Sequence, residues 1–236
     1  MKSYYSFTLS VLIALVICNQ PVSAKAILNN SFQNSRISGF TGVAVSGNFD
    51  VKIILGSSEG IKINASEEIV NSIEARVEDN VLIIRYKPRT GWHNQKKVNI
   101  VVNAKTIESL IVSGSGSIKV DGTIKCDNLN TNVSGSGSIT LNTNVYNYTA
   151  IVSGSGKINA TGKTKDAQII LSGSGNFSGD GLYADKAEVK VSGSGNASIA
   201  ADKTLDAMVS GSGNIRYTGN AQVTKSKSGS GSIVRL

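Results

Sequence analysis

Histidine and tryptophan occur once each in this chain, cysteine and proline twice, and aromatic residues fill only 6% of its 236 positions. A lone histidine, His93, cannot by itself supply a zinc site or a histidine-dependent serine triad. Cys18 lies just past the N-terminal apolar run, in the expected leader, so Cys126 is the one thiol in the body of the chain and no internal disulfide is expected to brace it. Stability must come from burial, and no cofactor is expected. Acidic residues are also scarce, 16 against 24 Lys and Arg, for a net charge of +8. The basic residues are scattered rather than clustered, and few aromatics accompany them. Nucleic-acid binders concentrate positive charge on one face and add stacking rings, so no nucleic-acid partner is expected. Scattered charge of this kind keeps a protein soluble.

Long apolar runs are missing except at the start. Residues 7–17 are mostly apolar, Lys2 precedes them and Val22-Ser23-Ala24 follows, which is the form of a cleavable export signal. Cleavage after residue 24 leaves 212 residues (236 − 24) and a net charge of +7, since Lys2 is the only charge removed (8 − 1). Cys18 raises the alternative of a lipid anchor, but Ile17 stands where such signals place a small residue. No later stretch is long and apolar enough to span a bilayer. The expected mature protein has no transmembrane segment and is periplasmic, displayed on the outer surface, or secreted. Residues 25–36 read as a flexible lead into a domain over 37–236.

What the chain has in abundance is glycine and serine in one arrangement. Ser-Gly-Ser-Gly begins at Ser113, Ser134, Ser153, Ser172, Ser192, Ser210 and Ser228, at spacings of 21, 19, 19, 20, 18 and 18 residues. Such a period marks a solenoid, in which each coil buries its apolar side only against a stacked neighbour. Around each motif the apolar residues keep period two: Val112 and Ile118, Val133 and Ile139, Val152 and Ile158, Leu171 and Phe177, Val191 and Ala197, Val209 and Ile215 bracket the two glycines. A flexible linker has no reason to keep that pattern. The parity predicts glycines toward the interior, where space is too narrow for a side chain or the strand bends sharply. It also predicts an outward ribbon of Ser113, Ser115, Ser134, Ser136, Ser153, Ser155, Ser172, Ser174, Ser192, Ser194, Ser210, Ser212, Ser228 and Ser230. With coils about 4.8 Å apart, the ribbon extends roughly 29 Å, its hydroxyls placed to bond to one another.

Between motifs, Asp121-Gly122, Thr161-Gly162, Asp180-Gly181 and Thr218-Gly219 supply turns. Lys225 and Lys227 take inward parity before the last motif, as a cap against end-to-end growth would. The expected fold is all-β: a parallel β-helix of about seven coils of 18–21 residues over 109–236, preceded over 37–108 by an irregular β-rich section. That section is expected to cap the stack. In it, Val43 to Ser46 and Gly47-Asn48-Phe49-Asp50-Val51 look like a degenerate motif, and Ser66-Glu67-Glu68 before Ile69, Val70 and Ile73 predicts a short capped helix.

Three groups were candidates for chemistry or binding. Asp121 and Asp180 fall in coils three apart, hence about 14 Å, too far for glycoside hydrolysis by a carboxylate pair. Asp127, Asn147, Asp166, Asp185 and Asp206 read as one loose column, either cation-binding or relieved by neighbouring lysines; Asx turns with local charge pairing explain it without a metal. Trp92 and His93, with Arg89, Lys96 and Lys97, read as an exposed loop able to stack on a sugar ring or hold an anion.

Residues 40–55 with their Gly47-Asn48-Phe49-Asp50-Val51 step, residues 79–85 with Asn80-Val81-Leu82-Ile83-Ile84, and the Ser-Gly-Ser-Gly array that follows resemble the head GIN domain of putative auto-transporter adhesins of bacterial cell envelopes. The resemblance covers essentially the whole mature chain. It implies an exported β-solenoid without known enzymatic activity, and carries no catalytic or ligand residues with it. The expected function is that of a non-enzymatic, adhesin-like envelope protein whose serine-lined face meets a surface, glycan or protein partner. The alternatives are a β-helix enzyme acting on polysaccharide and a binder of repetitive surfaces such as ice, though ice-type faces generally use threonine.

Overall fold

The computed structural model describes residues 31–35, 37–88 and 97–236. Period-two burial runs through nearly every strand, as it must where each strand turns one side inward. The N-terminal section holds β1 (Ser31–Ser35), β2 (Gly42–Gly47), β3 (Phe49–Leu55), β4 (Gly60–Ala65), α1 (Glu67–Ser72), β5 (Ile73–Glu78), β6 (Val81–Tyr86) and β7 (Val98–Ala104). The coil array holds β8 (Ser109–Gly114), β9 (Ser117–Ile124), β10 (Asn128–Gly135), β11 (Ser138–Gly154), β12 (Lys157–Gly173), β13 (Asn176–Gly193), β14 (Asn196–Gly211), β15 (Asn214–Thr218), β16 (Gln222–Ser228) and β17 (Ser232–Arg235). Every pairing within the array is parallel, β8 and β9 through β16 and β17. The solenoid reading holds.

Stack order departs from chain order at the N-terminal end. β2 and β3 lie between two coils: β6 and β7 on one side, β8 and β9 on the other, all parallel. The degenerate motif is a true member of the array, since Gly47 pairs with Gly114 and Val45 with Val112. Outside this first coil the pairing turns antiparallel. β5 covers β6, β4 covers β7, and β1 covers β4. These strands close that end, as a cap should. β1 falls within the segment expected to be flexible, where residues 31–35 pair with β4. α1 forms where expected, but Ser66 makes no side-chain cap; the first turn rests on the Val70 N–H donating to Ser66 O at 2.9 Å, with Glu67 and Glu68 at the positive end of the helix.

The interior is built of columns. One runs Ile84, Val45, Val112, Val133, Val152, Leu171, Val191, Val209, each of them buried. Each such side chain contributes about 1.5–3 kcal/mol through burial. Size is shared between coils: Tyr148 stacks on Ala167, which stacks on Ala187, and Phe177 lies beside Ala197. The Tyr148 hydroxyl meets the Thr131 hydroxyl at 3.1 Å, which satisfies both inside the core.

The motif itself is a corner, and here the expectation of two inward glycines is half corrected. The second glycine of each motif, such as Gly156, is buried, but the first, such as Gly154, is exposed with φ +108°. Strand β11 ends there, and β12 starts three residues later. Of the two reasons offered for inward glycine, lack of room holds at the second, where a Cβ on Gly156 would stand 2.8 Å from Gly137 O and press on Val133, and the sharp bend holds at the first. A second requirement reinforces it: a Cβ on Gly154 would stand 2.8 Å from Gly135 O of the coil beneath. Further bends follow in each coil, at Gly122, Gly162 and Gly219 (φ +111°, +108° and +93°) and at consecutive non-buried pairs such as Tyr146-Asn147, where the alternation resets.

At the far end Lys225 and Lys227 pair with Ala207 and Val209 in the inward columns, yet both are exposed. The Lys225 ammonium donates to Ile233 O at 3.2 Å and lies 5.0 Å above the Tyr217 ring. Charge here covers the last apolar layer without offering it to another molecule.

Two outcomes are expected. Gly154→Ala should destabilise the fold by about 1–3 kcal/mol in urea unfolding, while Ser155→Ala beside it changes stability by less than about 0.5 kcal/mol; equal effects would mean that the corner tolerates a Cβ. Changing both Lys225 and Lys227 to Val should leave the fold intact and produce concentration-dependent association in analytical ultracentrifugation.

Candidate binding face

The corner anchors a broad sheet made by the strands that lead into each motif. The backbone N–H of the second serine donates to the first glycine's carbonyl one coil down: Ser136 to Gly114, Ser155 to Gly135 and Ser174 to Gly154, each at 2.9 Å. The serine side chains lie outside, most of them exposed. Their hydroxyls differ from the expected ladder. Among the described residues none of the motif hydroxyls bonds to another side chain; the amides bond coil to coil, and the hydroxyls face solvent.

Counting back from each motif orders the rest of the face. Two residues before the serine stand Ile111, Asn132, Ile151, Ile170, Lys190 and Met208, in register. The three isoleucines are half-buried, and Met208 is 46% exposed. Four residues before stand Asn130, Thr149, Gln168, Glu188, Asp206 and Thr224. Six before stand Asn128, Asn147, Asp166, Lys186, Thr204 and Gln222. The face thus carries a hydroxyl edge, a half-apolar stripe, and two columns of amide, hydroxyl and charge. A shallow groove of about 410 Å³ lies over the last two columns, between Asn147 and Asp206.

This register corrects the proposed carboxylate column. Asp166 sits between Asn147 and Lys186, Asp127 and Asp185 each fall one place earlier, and Asp206 stacks on Glu188 in a different column. The 20-residue spacing before Ser192 displaces any count made from the preceding motif. Asp185 is paired with Lys203 at 2.7 Å, which holds its carboxyl below the ordinary range. Among the described residues no group of three or more His, Cys, Asp or Glu could hold a metal ion.

The stacked pair Glu188 and Asp206 was missed, although the fixed offset from the following motif exposes it. Glu188 accepts from Lys190 and, at 2.9 Å, from the Gln168 amide, so its carboxyl titrates below the usual range. Also missed was a side-chain ladder just past the corner. Asn196 donates to Asn176 at 3.1 Å, Asn214 to Asn196 at 2.9 Å, and Ser232 to Asn214 at 2.6 Å. The Asn or Ser that directly follows six of the seven motifs, Lys157 being the exception, was its signal.

Of the proposed loop site, Arg89, Trp92, His93 and Lys96 lie outside the described residues. Lys97 is described: its ammonium is 3.3 Å from Asp50, which also accepts the Ser117 hydroxyl at 2.6 Å. Arg85 pairs with Ser46 and Val98 with Phe49, so both flanks of that segment meet the column of corners. Asp121 is held by Lys52 at 2.9 Å, which lowers its pKa.

The family described as putative auto-transporter adhesin, head GIN domain, matches residues 39–221. No curated protein matches the chain. A crystal structure of a putative adhesin from Bacteroides fragilis superposes with a TM-score of 0.81 at 22% identity, over 87% of this chain and 96% of that one. A putative lipid binding protein from Parabacteroides distasonis gives 0.72 at 25% identity, over 89% and 98%. A putative adhesin from the same species gives 0.69 at 22%, over 87% and 96%. The two at 22% identity establish a shared fold.

Cys126 borders this face beside Asn128, its thiol donating to Asn128 O at 3.4 Å. Burial first, then the charges of Glu108 and Asp127, push its pKa up to about 11. The folded state therefore favours the neutral thiol, and that preference is lost as pH rises from about 9 through 11. Alkylation by iodoacetamide at pH 8, followed by mass spectrometry, should be much slower in the folded than in the urea-unfolded chain, and should accelerate toward pH 11. Equal rates in the two states would contradict the burial of this thiol.

Proposed function

The chain belongs to the putative auto-transporter adhesin, head GIN domain family, and from that membership we infer that it is exported and acts as a non-enzymatic binding protein of the cell envelope. Residues 1–24 are its export signal in this reading, and the domain over 37–236 is the working part. The partner is met on the sheet that leads into the serine corners. The observation that carries this is the register: three outward columns and the serine edge run side by side through successive coils without a break.

A rigid sheet suits recognition because its side chains are positioned before the partner arrives, so little ordering entropy is lost on binding. The serine hydroxyls remain open to an external acceptor or donor. Beside them, Ile111, Ile151, Ile170 and Met208 offer apolar area without forming a continuous greasy patch. One relative bears a lipid-binding name. Here the columns of Val, Leu and Ile occupy the coil interior, which favours a partner outside the solenoid over one held within it.

An enzymatic role is less well supported by the same face. Glu188 and Asp206 are neighbours, but cleavage of a glycosidic bond needs one carboxyl held protonated, with a raised pKa. Lys190 and Gln168 act on Glu188 in the opposite sense. Among the described residues no helix is long and apolar enough to cross a membrane.

The test is binding of purified mature chain to envelope material from the producing cells. Replacing Ser153 and Ser172 together with Arg should weaken binding by at least about tenfold, with the thermal midpoint unchanged because neither hydroxyl has a hydrogen-bond partner among the described residues. Unaltered binding would remove the face from consideration.

A further inference from the structure

Two tyrosines stand far outside the core on another side of the coil. Tyr146 is 50% and Tyr183 55% exposed, in a chain that buries most of its large apolar side chains. Tyr146 shares its place with Lys165 one coil on, as the flanking pairs Val145 with Thr164 and Asn147 with Asp166 require. Tyr183 pairs with Lys163 in that same middle coil. The rings are therefore two coils and two residues apart, about 12 Å from the strand spacing and rise, a span of about two linked pyranose rings.

The ground between them, and in the coil beyond Tyr183, is chemically mixed. The Lys165 ammonium donates to the Tyr146 hydroxyl at 2.7 Å and lies 4.5 Å from its ring centroid, which fixes that ring in place. Asp185 is held by Lys203 at 2.7 Å. Lys163 and Asp202 have no ion pair among the described residues, leaving one donor group and one acceptor group open. Tyr183 lines a groove of about 490 Å³ with Lys163, Thr164, Ala184, Asp185 and Asp202.

We propose that Tyr146 and Tyr183 form a stacking platform for an extended, uncharged oligosaccharide, with Lys163 and Asp202 bonding to its hydroxyls. This rests on the envelope-binding reading and names a ligand class and a second contact surface for it. Exposed rings suit sugars because a pyranose has an apolar face that stacks while its rim accepts and donates hydrogen bonds. Tyrosine also loses little rotamer freedom on binding. The groove has the size of a small-ligand site, whereas a stable protein interface needs about 800 Å² on each partner. Charge favours a neutral ligand: Lys163, Lys165 and Lys203 are offset by Asp166, Asp185 and Asp202 nearby.

The experiment is isothermal titration calorimetry of the full mature chain with cellohexaose, chitohexaose and maltohexaose, with saturation-transfer NMR to identify the contacting rings. At least one sugar should bind saturably, and Tyr146→Ala or Tyr183→Ala should each weaken it about tenfold while thermal unfolding stays unchanged. Tyr183→Phe, which keeps the ring, should retain most of the binding. The proposal is overturned if none of the three sugars binds, or if the alanine variants bind as the parent does. Either failure, alongside envelope binding that the Ser153 and Ser172 substitutions abolish, would remove this platform and leave the serine face standing. Loss of envelope binding altogether, with sugar binding retained by the tyrosines, would do the reverse.

Discussion

Main chain against main chain at one corner of every coil is the constraint on which the rest depends. Where Gly154 lies over Gly135 and Gly173 over Gly154, a Cβ would come to 2.8 Å from the carbonyl beneath. Glycine is required twice over, for the positive φ and for the approach. That contact lets the serine amide reach the glycine carbonyl one coil down at 2.9 Å. A stack pinned this way cannot slip by a residue, because slippage would put a serine side chain where no side chain fits.

Register fixed at the corner propagates along the strand that enters it. This is why positions up to six residues before a motif align through the array, while positions farther from it drift where coils gain or lose a residue. Bulges absorb the difference on the far side, between Gly179 and Tyr183 against Ile199 and Ala200 for instance. One side of the solenoid is thus regular and the other tolerant of variation. The regular side carries the serine edge and its outward columns; the variable side carries the two exposed tyrosines.

The repeat period, the parity of Val152 and Ile158 around their motif, and the terminal lysines made the stack legible in the sequence, because burial with period two leaves a direct mark. The corner was harder to read. Strict alternation and a sharp bend place Gly156 inward equally well, and only the backbone angle of Gly154 separates them. The aspartate column failed for a related reason: the 20-residue coil before Ser192 moves Asp185 one place, and the 18-residue coil before Ser210 moves Asp206 into the column of Glu188. The sandwiching of β2 and β3 between β6/β7 and β8/β9 left no local sign, since it depends on pairing between distant segments. The platform formed by Tyr146 and Tyr183 was likewise invisible, because it joins coils that are not neighbours.

Function follows from what the stack does with its polar groups. Backbone donors and acceptors at the corners are consumed by the next coil, and Asn176, Asn196 and Asn214 satisfy one another along their own ladder. Among the described residues the motif serine hydroxyls are consumed by nothing. A hydroxyl that the fold does not use, repeated at each coil on a sheet that cannot shift, is free to bond outward at no cost to stability. Each such contact is weak, since hydrogen bonds to water are lost in making it. Repetition along a rigid edge compensates, because after the first contact forms the others are already in place. Adhesion to an extended surface is the task for which that geometry is suited, and a small catalytic pocket is not.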